Sequence, residues 1–204
     1  MLISIHPDNP SPRKIDIVCE ALESGEVIIA PTDSVYAFVC HIGHKGAFDR
    51  ICRLRELNPK KALFSFLFPD FSMASDYISQ LDNQVFKLMK RNLPGPFTFI
   101  VRAGQNLPAY LKNNRKTIGL RMPDNKIITA ILDQLQSPLV VASLKSEDEI
   151  LEYHYNPEEI HDVYRNQVAL VIDGGPGRLY PSTVVDCTGP EPELIREGAE
   201  PLVF

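Results

Sequence analysis

Val27-Ile28-Ile29-Ala30 is an uninterrupted apolar run, mostly β-branched, closed by Pro31. Such a run reads as a strand buried on both faces, which requires covering layers above and below the sheet. The flanking sequence supplies them. Ser11 can cap a helix that Pro12 starts, and Ile15, Val18, Cys19 and Leu22 recur at helical spacing before Gly25 ends it. Further helices are expected over 45–56, with Phe48, Ile51, Cys52 and Leu57 on one side, over 83–91 before Asn92-Leu93-Pro94-Gly95-Pro96, and over 127–135. Strands are expected over 62–68, 97–101, 117–122 (stopped by Pro123), 138–143, 168–172, 183–187 and 194–196. Strands 97–101 and 117–122 have no helix between them, so pairing should be mixed. The expectation is an α/β fold, an open mixed parallel and antiparallel sheet with flanking helices. At 204 residues it should form a single domain spanning 1–204.

Charge is distributed unevenly. The formal total is −5, yet residues 1–122 carry a net of +5 and residues 123–204 a net of −10. Between Arg50 and Arg121 the net is +9. An acidic whole therefore does not exclude an anionic partner. No apolar run approaches the ~20 residues that cross a bilayer, and the N-terminus lacks a signal-peptide pattern, so no membrane partner and a cytoplasmic location are expected. Cys19, Cys40, Cys52 and Cys187 form no CxxC pair and read as buried thiols. Cys40-His41-Ile42-Gly43-His44 invites a metal reading, but no later ligands stand at zinc-like spacing, and no resident metal is expected.

The Rossmann, P-loop, GxSxG and HExxH patterns are all missing from the sequence, so an anion site has to be assembled otherwise. The candidates are small hydroxyl residues and arginines at strand ends, where open α/β sheets hold their ligands. Thr32, Ser34 and Tyr36 follow one strand, Thr98 follows Pro94-Gly95-Pro96, Arg121 closes another strand and Ser143 a third. Ser182 and Thr183 open a strand, and Arg196 closes the last. Arginine forks with hydroxyls suit a carboxylate or phosphate. The plainer alternative is that Ser and Thr cap turns and that Arg121 pairs with an Asp. Arg50, Arg53, Arg55, Lys60 and Lys61 run off the end of one helix. Helix dipoles favour cations there by about 0.3–1 kcal/mol each, but RNA binding is a second explanation.

The segments Gly25-Glu26-Val27-Ile28-Ile29-Ala30-Pro31-Thr32-Asp33-Ser34-Val35-Tyr36, Pro94-Gly95-Pro96-Phe97-Thr98, Gly119-Leu120-Arg121-Met122-Pro123, 138–143, Pro181-Ser182-Thr183-Val184-Val185-Asp186 and Ile195-Arg196-Glu197-Gly198-Ala199 occur in that order. Together they resemble the YrdC/YciO family, most closely its single-domain YciO-like branch. The resemblance implies a twisted open sheet around a basic concave surface. It implies condensation of ATP, threonine and bicarbonate into threonylcarbamoyladenylate, for the threonylcarbamoyladenosine modification of tRNA, with Mg²⁺ accompanying ATP. It further implies double-stranded RNA or tRNA as a partner.

Carried over, Thr32 and Arg121 would hold the threonine carboxylate and Tyr36 would wall the pocket. Thr98, Ser143 and Lys145 would contact substrate. Ser182, Thr183 and Arg196 would contact the nucleotide. Arg55 and Arg121 would be the catalytic cations, and Arg50, Arg53, Lys60 and Lys61 would meet RNA. The chain departs from the synthase pattern at three places. Arg55-Glu56-Leu57 stands for Lys-x-Arg, Ser143-Leu144-Lys145 for Ser-x-Asn, and Asn125 for a His. Two readings follow: a nucleotide-using enzyme of the threonylcarbamoyladenylate type, or an RNA-binding protein without that chemistry. Processing of an already modified tRNA is a third.

Overall fold

The computed structural model describes residues 1–145 and 153–204. Ten strands form one sheet among them: β1 (Leu2–Ser4), β2 (Ile28–Ala30), β3 (Ala37–His41), β4 (Ser65–Leu67), β5 (Phe97–Arg102), β6 (Thr117–Arg121), β7 (Leu139–Ser143), β8 (Leu170–Asp173), β9 (Thr183–Asp186) and β10 (Glu193–Arg196). Their spatial order is β1-β8-β2-β3-β7-β4-β6-β5-β9-β10. Pairing is mixed: β1–β8, β2–β8, β4–β6 and β5–β9 are parallel, and the remaining neighbours are antiparallel. The helices are α1 (Pro12–Glu23), α2 (Lys45–Leu54), α3 (Phe71–Ser75), α4 (Asn83–Asn92), α5 (Lys126–Leu135) and α6 (Pro157–Tyr164).

The two core clusters show the layering that the 27–30 run requires. Val27 and Ile29 face one cluster with Phe48 and Ile51 of α2, Leu88 and Met89 of α4 and Ile160 of α6. Ile28 and Ala30 face the other with Val18 and Leu22 of α1 and Ile128, Ile131 and Leu132 of α5. Alternation continues in β3, where Phe38 and Cys40 join the first cluster and Ala37 and Val39 the second. Burying both faces of a strand multiplies its apolar contribution, at about 25 cal/mol per Å².

Several elements differ from expectation. β1, β3, α3 and α6 are not among the expected elements. The strand expected over 62–68 pairs only at Ser65–Leu67, and the helix over 45–56 ends at Leu54. It ends there because Glu56 turns into the left-handed region at φ 49°. Asn125, standing where the synthases have His, caps α5, its side chain accepting the Ile128 amide at 3.0 Å. No helix among the described residues is long and apolar enough to cross a membrane.

Candidate functional site: a cationic cleft on the sheet

Two cross-strand rows build the site. Leu67 pairs with Arg121, Thr98 with Val184 and Val184 with Arg196. One step along, Val141 pairs with Ser65, Ser65 with Gly119, Gly119 with Ile100 and Ile100 with Asp186. Directly paired residues share a face of the sheet. This face is the one that α1 and α5 cover farther along, where Leu67, Leu139 and Val141 join their cluster. Beyond β7 it opens into a cleft of about 340 Å³. Gly119 sits between two of the lining residues, Ser65 and Thr98. A Cβ there would come within 2.7 Å of Ser65 Oγ and 2.9 Å of Thr98 Cγ2.

Of the candidates, Arg55, Thr98, Arg121, Ser143, Lys145, Ser182 and Arg196 all line this cleft. Leu57, Leu63, Phe64 and Tyr153 supply apolar and aromatic surface beside them. Thr98 Oγ1 and Ser182 Oγ lie 2.7 Å apart. Arg196 braces this pair, donating from Nη2 to the Ser182 carbonyl at 2.8 Å and from Nε at 3.3 Å. Arg55 follows the end of α2, and its buried Nε has no hydrogen-bond partner. Burial holds its guanidinium below the ordinary arginine value, against an opposing influence from Tyr164 and Tyr153.

Arg121 is the most enclosed of these cations. Its Nη2 donates to Asp33 Oδ1 at 2.6 Å and to Ser34 Oγ at 2.9 Å. The two side chains of the ion pair are 4% and 2% exposed. Asp33 Oδ2 accepts the Asp124 amide at 3.0 Å, and Arg121 Nε has no partner. The plainer expectation, that Arg121 pairs with an Asp, describes this residue.

The other candidates lie elsewhere. Thr32 Oγ1 donates to the Val35 carbonyl at 2.8 Å and accepts the Ser34 amide at 3.1 Å, holding the turn that carries Asp33. Tyr36 is fully buried, and its hydroxyl donates to the Gly175 carbonyl at 2.7 Å. Burial pushes that phenol up to about 12. Thr183 projects opposite to Ser182, donating to the Glu200 carbonyl and accepting the Gly198 amide. None of these three lines the cleft. Arg50 of α2 pairs with Glu26 beyond α1 at 3.6 Å, and it, Arg53 and Lys60 are outside the cleft. Lys61 lines a separate hollow of about 250 Å³ with Arg102, Arg115 and Asp186, which shares Leu63 with the cleft. Asp33 and Ser65 are the functional positions that motif reading passes over. The signal for Ser65 is strand alternation, which becomes readable once the register of β4 against β6 is known; Asp33 lies in the turn after β2 and is identified only by its long-range contact with Arg121.

The Mg²⁺ implied by resemblance meets no carboxylate among the described residues lining the cleft. Asp33 is committed to Arg121 and the Asp124 amide. These residues do not fit a protein-held magnesium ion, which favours one or two carboxylates in its shell.

Residues 20–198 match the Sua5/YciO/YrdC family model, described as telomere recombination. The chain belongs to this family. It is similar to the uncharacterized YciO of Escherichia coli strain K12, with 44% identity over 95% of this chain and 93% of YciO. The crystal structure of Escherichia coli YciO superposes with a TM-score of 0.91 at 41% identity, over 97% of this chain and 95% of that one. A threonylcarbamoyl-AMP synthase of Pyrococcus abyssi is 24% identical over 93% of this chain and 55% of its own length. P. abyssi Sua5 complexed with L-threonine shares the fold, with a TM-score of 0.85 at 21% identity over 97% of this chain and 57% of Sua5. The family fold is thus common to YciO-like and synthase members, and two of this chain's three departures from the synthase pattern, at Arg55-Glu56-Leu57 and Ser143-Leu144-Lys145, lie at the cleft, while Asn125 caps α5 away from it.

Proposed function

We propose that this family member is a nucleotide-binding enzyme related to L-threonylcarbamoyladenylate synthesis, with an adenylate held in the sheet-face cleft. The observation that carries the reading is the convergence of Arg55, Lys145 and Arg196 on one cavity that also contains the Thr98–Ser182 hydroxyl pair. Guanidinium forks and hydroxyls match phosphate oxygens, and charge-assisted bonds to them are about twice as strong as neutral ones. The family relation to the threonylcarbamoyl-AMP synthase supports the choice of adenylate. Chemistry in such a cleft consists of positioning and charge stabilisation, since carboxyl attack on an α-phosphate needs little proton transfer. Mg²⁺ enters only with ATP, as its counter-ion.

The test is pyrophosphate release from ATP in the presence of L-threonine and bicarbonate. Release requiring all three, and reduced at least tenfold by Arg196→Ala, is expected. No release with all three present rejects synthase activity. A second reading, binding of duplex RNA or tRNA, is favoured by the adjoining hollow with Lys61, Arg102 and Arg115. It predicts affinity that falls steeply with salt and weakens on charge reversal at Lys61. Affinity that is flat between low and moderate salt rejects it.

A further inference from the structure

β10 is one of the two outer strands of the sheet. An outer strand presents a row of backbone donors and acceptors to any passing strand, and chains that stay single blunt it with lysine or proline, or cover it. β10 reads Glu193-Leu194-Ile195-Arg196, and all four residues are exposed. Its two central side chains are apolar, Leu194 at 43% and Ile195 at 53% exposure. Leu194 pairs with Val185, a member of the cluster that α4 covers, so it lies on the α4 side of the sheet. On that side a groove of about 650 Å³ runs beside the turn before β10, with Leu88, Pro192 and Phe204 in its wall and charges of both signs at Lys87 and Glu191.

Two details of β10 suit a second copy of the same strand. The first is electrostatic. Glu193 pairs directly with Asp186 of β9. Like charges in directly opposed positions are unfavourable. No ion pair holds Glu193 among the described residues, and Asp186 Oδ1 accepts the Thr188 amide at 2.8 Å and its hydroxyl at 2.7 Å. A cation arriving from the open side of Glu193 would relieve the opposition.

The second detail is the register. It shifts between Leu194 and Arg196, which leaves Ile195 as an extra residue. In a regular strand, residues three apart point to opposite faces. Here Glu193 pairs with Asp186 and Arg196 with Val184, two positions apart on β9, so Glu193 and Arg196 share a face. That face is the one with the cleft, which Val184 and Arg196 line. Two β10 strands laid antiparallel about a twofold axis between Leu194 and Ile195 would therefore set each Glu193 opposite the other copy's Arg196. Leu194 and Ile195 would meet at the centre. The patch is self-complementary, as a closed twofold contact requires.

We propose that this chain forms a homodimer by antiparallel pairing of β10 with β10 of a second copy, with the partner's Glu193 against Arg196. Arg196 uses Nε and Nη2 to hold the Ser182 carbonyl, so Nη1 is the group that meets the incoming carboxylate. The two sheets join edge to edge, and both clefts open on the same face of the joined sheet. Each cleft then has a residue of the other copy at its β10 end.

Sedimentation velocity of the full chain over about 1–300 µM reads the association, which is expected to be weak and concentration-dependent because a four-residue ladder is a small interface. The mass should rise from one subunit to two and stop. Glu193→Arg sets like charges opposite each other across the axis and is expected to raise the dimer dissociation constant at least tenfold. Ile195→Lys, a charge at the apolar centre, is expected to do the same. Glu193→Arg combined with Arg196→Glu restores opposite charges and should return the constant to within threefold of the native value. A single-subunit mass throughout, growth beyond two subunits, or a constant that either single variant leaves unchanged overturns the proposal. So does a folded double variant that fails to restore association. Both single changes fall on exposed side chains, and circular dichroism checks their fold. If the double variant does not fold, the two single variants decide.

Discussion

Removing Asp33 should destabilise the protein far more than removing Asp33 and Arg121 together. Asp33→Ala leaves a guanidinium in a wall that is nearly closed to water, with Ser34 Oγ its remaining bonded partner among those described here. It also removes the acceptor of the Asp124 amide. Breaking a buried pair from one side costs about 3–5 kcal/mol. That is a large part of the roughly 5–15 kcal/mol by which a domain is stable. The double variant Asp33→Ala/Arg121→Met removes both charges and fills the space with an unbranched apolar chain. Its remaining loss is the orphaned Asp124 amide, about 1–3 kcal/mol. The non-additivity should therefore exceed about 2 kcal/mol, well beyond the ~0.5 kcal/mol scatter of independent sites. Urea unfolding of native, single and double variants measures it. Circular dichroism and the fluorescence of the seven tyrosines can follow it without interference from tryptophan, which the chain lacks. A loss below about 1 kcal/mol for Asp33→Ala, or additive singles, would refute the picture of a buried, mutually dependent pair.

Other outcomes follow from single contacts. Tyr36→Phe should cost about 1–2 kcal/mol in urea unfolding, through its lost bond to Gly175, while nucleotide affinity stays within about twofold because Tyr36 does not line the cleft. Glu56→Gly should raise the urea midpoint by about 0.5–1 kcal/mol equivalent, because a glycine adopts φ 49° without steric penalty. Burial, together with His44, holds His41 below the usual histidine value, and neutral Nδ1 accepts the Gly43 amide at 3.0 Å. The folded state thus takes up this proton less readily than the unfolded chain. The contribution is complete above about pH 6.5 and is lost as pH falls through the lowered folded value. Between pH 7 and 5 the urea midpoint should fall more steeply for the native protein than for His41→Asn, and parallel slopes would count against it.

How far a sequence discloses its structure varies by element. The 27–30 run announces β2 because burial on both faces leaves it without polar alternation. Ala37-Phe38-Val39-Cys40 is just as buried, but alanine and cysteine give it no strong strand preference, and its status comes from β2 and β7 on either side. β1 has three residues and becomes a strand only through β8. α6 does carry its start signals, an Asn156 cap, Pro157 in the first turn and then Glu158 and Glu159. In the site, the residue types at strand ends are readable, but their facing is not. Ser182 and Thr183 are adjacent hydroxyls, and one turns to the cleft while the other ties down Gly198. That choice is set by the register of β9 against β5, a long-range fact. Likewise Asp33 becomes the counter-charge of Arg121 only when chain segments 88 residues apart are brought together.

The placement of β1 bears on the order in which a nascent chain can complete this sheet. β1 pairs with β8, and the Met1 amine donates to the carbonyl of Ala169. At synthesis rates of about 5–20 residues per second, these partners emerge roughly 10–30 seconds after the first residues. Until then the opening strand has no ladder to join, and β2 lacks its parallel neighbour. β7, which separates β3 from β4, also appears late. The apolar 27–30 run therefore leaves the ribosome well before α5, α6 and β8 complete its cover, exposing the segment to chaperone capture during translation.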